Sequence, residues 1–263
     1  MSDESKVRMS ERDKKLIERV RKDDRAPRAF FDTPLHEITD FLRFGLCRCI
    51  LHNDPLDLLR AVAVDARMRW VTIKKHSSGN LPIDGNWTLL LQFIFIKDTN
   101  SVNEFLRAVV PGGPNPGSQC NRDLYCMVYL LASNRVDLAL EFGMQVDCGR
   151  FCLWELHFFQ SLLALAEQSP DRFSEEVWAT AKSERQCRDL PDYAKVLSLF
   201  AHWSVELAYF CDLSQIFENS VYERPLPWHR LLFTACREFS TWRDLFPLDS
   251  TPIQIVELLE LHK

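Results

Sequence analysis

Capping residues followed directly by proline recur along this chain, and this pattern constrains the fold more than any other feature. Thr33-Pro34, Asp54-Pro55 and Thr251-Pro252 each place proline at a first helical position, where its missing N–H costs nothing. Ser101 to Glu104 fits a capping box. Apolar residues then recur at helical spacing after Pro55: Leu58, Leu59, Val62, Ala63, Ala66 and Trp70. The pattern predicts amphipathic helices that bury one face against a neighbour.

The same reasoning covers most of the chain and leaves no convincing strand. Residues 89–96 have β-propensity, but their flanks suit a helix, and we predict a helix there. Short connections favour antiparallel neighbours. The predicted fold class is therefore all-α, either an irregular helical bundle or an α-solenoid of antiparallel helix pairs. The further predicted helices are about 86–97, 101–110, 121–133, 136–146, 150–168, 174–187, 192–211, 226–240 and 252–262.

Charge separates the first 29 residues from the rest. This segment holds ten basic and seven acidic residues, a net charge of +3, within a chain whose net charge is −5. We predict a charged N-terminal arm or helix over 1–29 and a single all-helical domain over 30–263. The glycine- and proline-rich loop 111–117 leaves open a division into two cores.

Motifs that carry chemistry are missing from the sequence. Neither a phosphate-binding glycine loop nor a GxSxG nucleophile motif occurs. Cys148 and Cys152 stand four residues apart with His157 beyond them, but a structural zinc site wants four ligands in two close pairs. We therefore predict no catalytic residue, no cofactor and no metal, and expect the thiols to be buried in helices.

Composition bears on the compartment and on the partner. The first 29 residues contain 17 charged side chains and no apolar stretch, so no secretory signal is predicted. Nine cysteines at scattered spacings favour reduced thiols and a cytoplasmic protein. The negative net charge gives no general attraction for nucleic acid or anionic lipid. We therefore expect the partner to be a protein. The sequence leaves the oligomeric state open.

Two segments resemble a known class of proteins. The helix "DPLDLLRAVAVDARMRW" at 54–70 and the hairpin "LYCMVYLLASNRVDLALEF" at 124–142 look like parts of the helical immunity proteins of bacterial polymorphic-toxin systems. That resemblance implies an acidic inhibitor that covers the basic active site of a toxin domain. It contains no site motif, so it assigns no residue a role.

The hypothesis that follows is a non-enzymatic protein-binding module, namely an immunity protein that neutralises a cognate toxin. The alternatives are a helical-repeat adaptor and, third, an all-α enzyme without a recognisable motif. Loop ends and helix starts are the usual contact positions. Charge reversal at the two aspartates among the predicted contacts is expected to slow association without loss of thermal stability. The predicted partner-binding residues are Asp84, Trp87, Asp98, Asn115 and Trp228.

Overall fold

The fold is all-helical in the part of the chain that the computed structural model describes. That part is 54–76, 87–108, 120–190, 198–213, 235–236, 238–251 and 253–259, with residues 15, 18, 22, 45, 49 and 195. Within it the helices are α1 (Pro55–His76), α2 (Trp87–Phe95), α3 (Thr99–Ala108), α4 (Cys120–Ala132), α5 (Val136–Gly143), α6 (Leu153–Ala166), α7 (Pro170–Gln186), α8 (Leu199–Phe210) and α9 (Ile253–Leu258), with 3-10 turns at Cys148–Arg150 and Trp242–Leu245. The predicted all-α class is confirmed.

The starts of α1 and α3 test the capping residues that the sequence predicts. Asp54 caps α1 as predicted, because its Oδ1 accepts the N–H groups of Leu56 at 3.1 Å and Asp57 at 3.3 Å. The capping box predicted at Ser101 is wrong. Helix α3 begins at Thr99, and the N–H of Ser101 donates to Oδ1 of Asp98 at 3.1 Å. Asp98 is therefore the capping residue.

Four of the described helices, α2, α4, α6 and α8, end in the same turn. In each turn a residue other than glycine has φ between 53° and 57°. The next N–H donates to the carbonyl five residues before it at 2.8–3.0 Å, which closes a Schellman-type turn. Glycine is the usual residue at such a position, and none of these four turns has one. The residues are Lys97, Asn134, Gln168 and Asp212.

The helices that precede these turns form the centre of the molecule. Helix α2 packs on α4, α4 on α6, α6 on α8, and α8 returns to contact α2. In an open solenoid each repeat contacts only its neighbours in sequence, so the return contact is typical of a bundle. The contacts fit the predicted bundle, and the solenoid alternative is not confirmed.

The burial pattern of these helices agrees with their central position. Residues 89–96 of the α2 region are all buried, as are 161–166 in α6 and 201–208 in α8. A helix that is apolar around its whole circumference needs neighbours on every side. The outer helices pack onto this centre: α1 and α3 on α2, α5 on α4 and α6, and α7 on α6 and α8. The predicted apolar stripe of α1 is buried, from Leu58 to Trp70.

A segment near the carboxyl end closes over α1 and the α2–α3 turn. Arg60 Nε donates to the carbonyl of Leu245 at 3.0 Å, and the Arg67 guanidinium lies 4.8 Å from the Trp242 ring centroid. Lys97 Nζ donates to the carbonyl of Phe239 at 2.7 Å. Backbone carbonyls and an aromatic ring of this segment thus bind basic side chains of α1 and of the α2–α3 turn.

Candidate interaction surface

The structure places two of the five predicted partner-binding residues. Asp84, Asn115 and Trp228 lie outside the described residues, as do the loop 111–117 and all of the predicted arm 1–29 except residues 15, 18 and 22. Helix α2 begins at Trp87, whose side chain is likewise outside the description. Only Asp98 can be assessed by its contacts.

Asp98 is buried and belongs to the fold. Its side chain is 2% exposed, and its second oxygen, Oδ2, binds Nη1 of Arg67 at 3.2 Å. Arg67 Nη1 also donates to the hydroxyl of Ser101 at 3.1 Å. One carboxylate thus caps α3 and ties it to α1. The expectation that charge reversal at Asp98 leaves stability unchanged does not fit this burial, since the change would bury an unpaired charge.

Substitution of Asp98 separates the cap from the ion pair. Asp98→Ala removes both and is expected to lower the free energy of unfolding by about 2 kcal/mol. Asp98→Asn keeps an equally good capping oxygen, and its loss of stability is expected to be smaller because only the ion pair with Arg67 is removed. Urea unfolding followed by circular dichroism measures both. Equal losses in the two variants would show that the cap contributes nothing.

The apolar side chains that stay exposed concentrate around α5. Helix α5 buries Ala139, Phe142 and Gly143 against its neighbours. A Cβ added at Gly143 would lie 2.7 Å from Cδ1 of Leu163, so α5 and α6 approach closely there. On the opposite side of this short helix, Asp137, Leu138 and Glu141 are exposed.

We use the name α5 edge for six exposed residues of α5 and of the segment that leads from it to the start of α6. Its apolar members, Leu138, Met144 and Leu153, are 43%, 75% and 55% exposed. Its acidic members are exposed as well. Exposed apolar side chains grouped among polar ones are typical of protein-binding surfaces. The α5 edge consists of Asp137, Leu138, Glu141, Met144, Asp147 and Leu153.

The charge of this segment is one-sided. Residues 136–149 contain three acids and no basic residue, and the longer stretch 133–190 holds ten acids and six bases, a net charge of −4. Asp147 is fixed by its own backbone, because its Oδ1 accepts the N–H of Gly149 at 3.0 Å. This bond starts the 3-10 turn Cys148–Arg150 that leads to Leu153. The edge therefore presents fixed negative charge beside apolar side chains.

Sequence reasoning missed the α5 edge, although one signal was available. Six of the nine residues from Val136 to Met144 are apolar, and a helix of eight residues packed on one side cannot bury them all. The hairpin at 124–142 does not by itself distinguish the exposed apolar residues of its second half from the buried ones. Ala139 and Phe142 are in the core, and Leu138 and Met144 are not.

The thiol and histidine pattern of this region does not form a metal site. Cys148 lies in the 3-10 turn and Cys152 is the capping residue of α6, so they do not share one helical face. Nδ1 of His157 contacts Oε2 of Glu176 on α7 at 2.8 Å. Among the described residues, no group of three or more His, Cys, Asp or Glu side chains is placed to hold a metal ion.

Comparison with known proteins gives no further guide to the site. No protein-family model, no curated protein and no solved structure matches this chain. Of the described helices, none has the length and apolar character needed to cross a membrane. The function is therefore argued from the α5 edge itself.

Proposed function

We propose that this protein is a non-catalytic binding module that binds a basic protein domain through its α5 edge. The observation that carries the proposal is the exposure of Leu138 and Met144 in a stretch whose acids Asp137, Glu141 and Asp147 are exposed as well. Solvent-exposed apolar side chains of this size gain free energy when a partner covers them, at roughly 25 cal/mol per Å² of apolar surface. Methionine adapts to partners of varied shape because its side chain is unbranched and flexible.

The acidic residues of the α5 edge determine which partners the apolar contact favours. Asp137, Glu141 and Asp147 are exposed, and the stretch 136–149 that contains them has no basic residue, although Arg135 and Arg150 flank it. Complementary charge raises association rates and excludes partners of like charge more than it adds affinity. A basic domain with an apolar patch thus fits this edge better than an acidic one.

The resemblance to helical immunity proteins supports a narrower version of the proposal. In that version the basic partner is a toxin domain, and the protein neutralises it by covering its active site. Acidic and apolar residues on a rigid bundle suit such a role, because a preformed surface loses little entropy on binding.

The test compares two doubly substituted, full-length proteins that carry the same change in net charge. One carries Asp137→Lys and Glu141→Lys on the edge, and the control carries Glu175→Lys and Asp249→Lys at exposed positions away from it. Captured from native extract at low salt, the partner is expected to bind the edge variant at least tenfold more weakly, by loss of attraction and steering. Its melting temperature should match that of the wild-type protein.

Each other outcome has a defined meaning. Equal loss of partner in both variants would reduce the effect to net charge and contradict a specific edge. Retention in both would overturn the proposal. Several partners on separable surfaces would favour the adaptor, and a small molecule retained in a native mass spectrum would favour an enzyme.

A further inference from the structure

Met144 carries the most exposed large apolar side chain of the described residues. It is 75% exposed, and the next in order is Leu248 at 56%. Its backbone is fixed, because its N–H donates to the carbonyl of Leu140 at 3.1 Å. Its φ of −68° and ψ of −18° continue the helical conformation of α5. The thioether is therefore exposed to solvent from a fixed position at the end of this helix.

Helical spacing places Met144 on the same face of α5 as two acids. Glu141 lies three residues before it and Asp137 seven residues before it, and positions at these spacings are neighbours on a helix surface. Both acids are exposed, whereas the three residues that α5 buries lie on the other side of the helix. Met144 and the two acids thus share one exposed helical face.

The other methionines in the described part of the chain are shielded. Met127 of α4 is buried, and its Sδ would lie 3.3 Å from a Cβ added at Gly143. Met68 of α1 is half-buried and packs against the core. The sulfur of Met127 therefore lies at the inner side of α5, whereas Met144 lies on the outer side. Of these three thioethers, an oxidant in solution reaches that of Met144 most readily.

We propose that Met144 is an oxidation site that switches the α5 edge from apolar to polar, with a hydroperoxide as the oxidant. The thioether sulfur attacks one peroxide oxygen, the O–O bond breaks and an S–O bond forms. The sulfur loses two electrons, and hydrogen peroxide is reduced to water. The proton of the attacked oxygen passes to the departing oxygen, so the reaction takes up and releases none. Methionine sulfoxide reductases reverse the oxidation.

The sulfoxide changes what the edge can bind. Its oxygen accepts hydrogen bonds, and the carboxylates of Asp137 and Glu141 on the same face also only accept, so they cannot satisfy it. The oxygen therefore keeps bound water, and a partner that covers Met144 must remove this water. This effect on binding rests on the proposed function, whereas the selective oxidation of Met144 does not.

The first test needs no partner. The full-length protein is incubated with hydrogen peroxide, and peptide mapping by mass spectrometry follows each methionine over time. Met144 is expected to react on the order of tenfold faster than Met127, with Met68 between them. Equal rates at Met144 and Met127, or a faster reaction at Met68, would overturn the proposal.

Hydrophobic-interaction chromatography on a phenyl matrix measures the change in polarity. Protein oxidised at Met144 is expected to elute earlier than the reduced protein, and reduction by both stereospecific sulfoxide reductases should restore its elution. Its urea midpoint should stay unchanged, because an exposed side chain contributes little to stability. Peptide mapping of the fractions counts oxidation at Met1 and Met9 separately.

Two leucine variants assign the shift in elution to one residue. Met144→Leu should abolish it, whereas the matched variant Met68→Leu should keep it. An unchanged elution of protein oxidised at Met144, or the same shift in Met144→Leu, would contradict the switch. The mapping uses the wild-type protein, so it decides the oxidation site even for a variant that fails to fold.

The partner gives a third measurement. The basic protein that the wild type captures from native extract is expected to bind protein oxidised at Met144 at least about fivefold more weakly than reduced protein. Unchanged binding would overturn the switch, although the edge remains the binding surface if Asp137→Lys with Glu141→Lys loses the partner. Retention of the partner by that double variant would instead refute the proposed function, and the first two tests would still decide the oxidation site.

Discussion

Replacing Glu184 with glutamine is expected to remove most of the decline in stability that the wild-type protein undergoes between about pH 4.5 and pH 8. Glu184 is completely buried in the last turn of α7. The N–H of Phe200, in the first turn of α8, donates to its Oε1 at 2.9 Å. Burial raises the pKa of this carboxyl from 4.5 to about 8, although the N–H groups of Phe200 and Ala201 and the charge of Arg185 oppose the rise.

The direction of the effect follows from proton linkage. The folded protein holds a proton on Glu184 over a range of pH in which the unfolded chain has lost it. Stability from this group is therefore complete below pH 4.5 and is lost as the pH rises through 8, by roughly 3–5 kcal/mol. Glutamine accepts the same N–H without titrating, so the stability of Glu184→Gln has no such pH-dependent contribution.

The measurement is urea unfolding at several pH values, with the difference between variant and wild type plotted against pH. Glu175→Gln, an exposed carboxyl on the same helix, is the control. It is expected to follow the wild type throughout. Parallel curves for Glu184→Gln and wild type would show that Glu184 is ionised in the folded protein at these pH values.

Glu184 also supplies what the start of α8 lacks. Ser198 precedes this helix in a left-handed conformation with φ of 49°, and its side chain makes no capping hydrogen bond. Its Oγ is buried without a hydrogen-bond partner among the described residues. The carboxyl of α7 therefore caps α8 from another helix, which couples the two elements.

Removing the indole of Trp70 is expected to be the most destabilising single truncation in the α1–α3 region. Trp70 is 2% exposed and packs edge-on to Phe93 of α2 at 5.9 Å and against Phe105 of α3 at 5.5 Å between ring centroids. Its Nε1 donates to Oε2 of Glu104 at 3.1 Å. One side chain thus joins three helices, and Trp70→Ala should cost about 3–5 kcal/mol in chemical unfolding.

Two milder substitutions define the origin of that loss. Trp70→Phe keeps most of the ring contact and loses the hydrogen bond to Glu104, so a smaller loss is expected. Val71→Ala removes a side chain that is 42% exposed and should change stability by no more than about 0.5 kcal/mol. If Trp70→Ala behaved like Val71→Ala, the aromatic cluster would have no structural role.

The sequence allowed the helices to be predicted where local chemistry decides them. Asp54-Pro55 marks the start of α1 correctly because the cap and the proline both act within one turn. Ser169-Pro170 is the same signal, but the predicted helix begins only at 174. In the structure α7 begins at Pro170 with Ser169 before it. Local rules were sufficient in both cases, and one was applied wrongly.

Other features depend on tertiary contacts that no local pattern contains. Ser101 and Asp98 are both good capping residues, and the position of Arg67 on α1 agrees with the choice of Asp98. Lys97 and Gln168 adopt positive φ in the turns after α2 and α6, although neither is glycine. The predicted helices 86–97 and 150–168 therefore extend two residues beyond the observed ends at 95 and 166. Exposure of Met144 depends on which side of α5 meets α4 and α6, and periodicity alone does not give that side.

The closed ring of α2, α4, α6 and α8 separates two tasks that many small domains must combine in the same helix. The ring and its turns hold the molecule together, while Asp137, Leu138 and Glu141 of the α5 edge lie on a helix outside the ring. Substitutions at exposed positions such as Leu138 and Glu141 therefore leave the packing of the ring untouched. Under the proposed binding role, a change of partner specificity on α5 therefore requires no compensating change inside the ring.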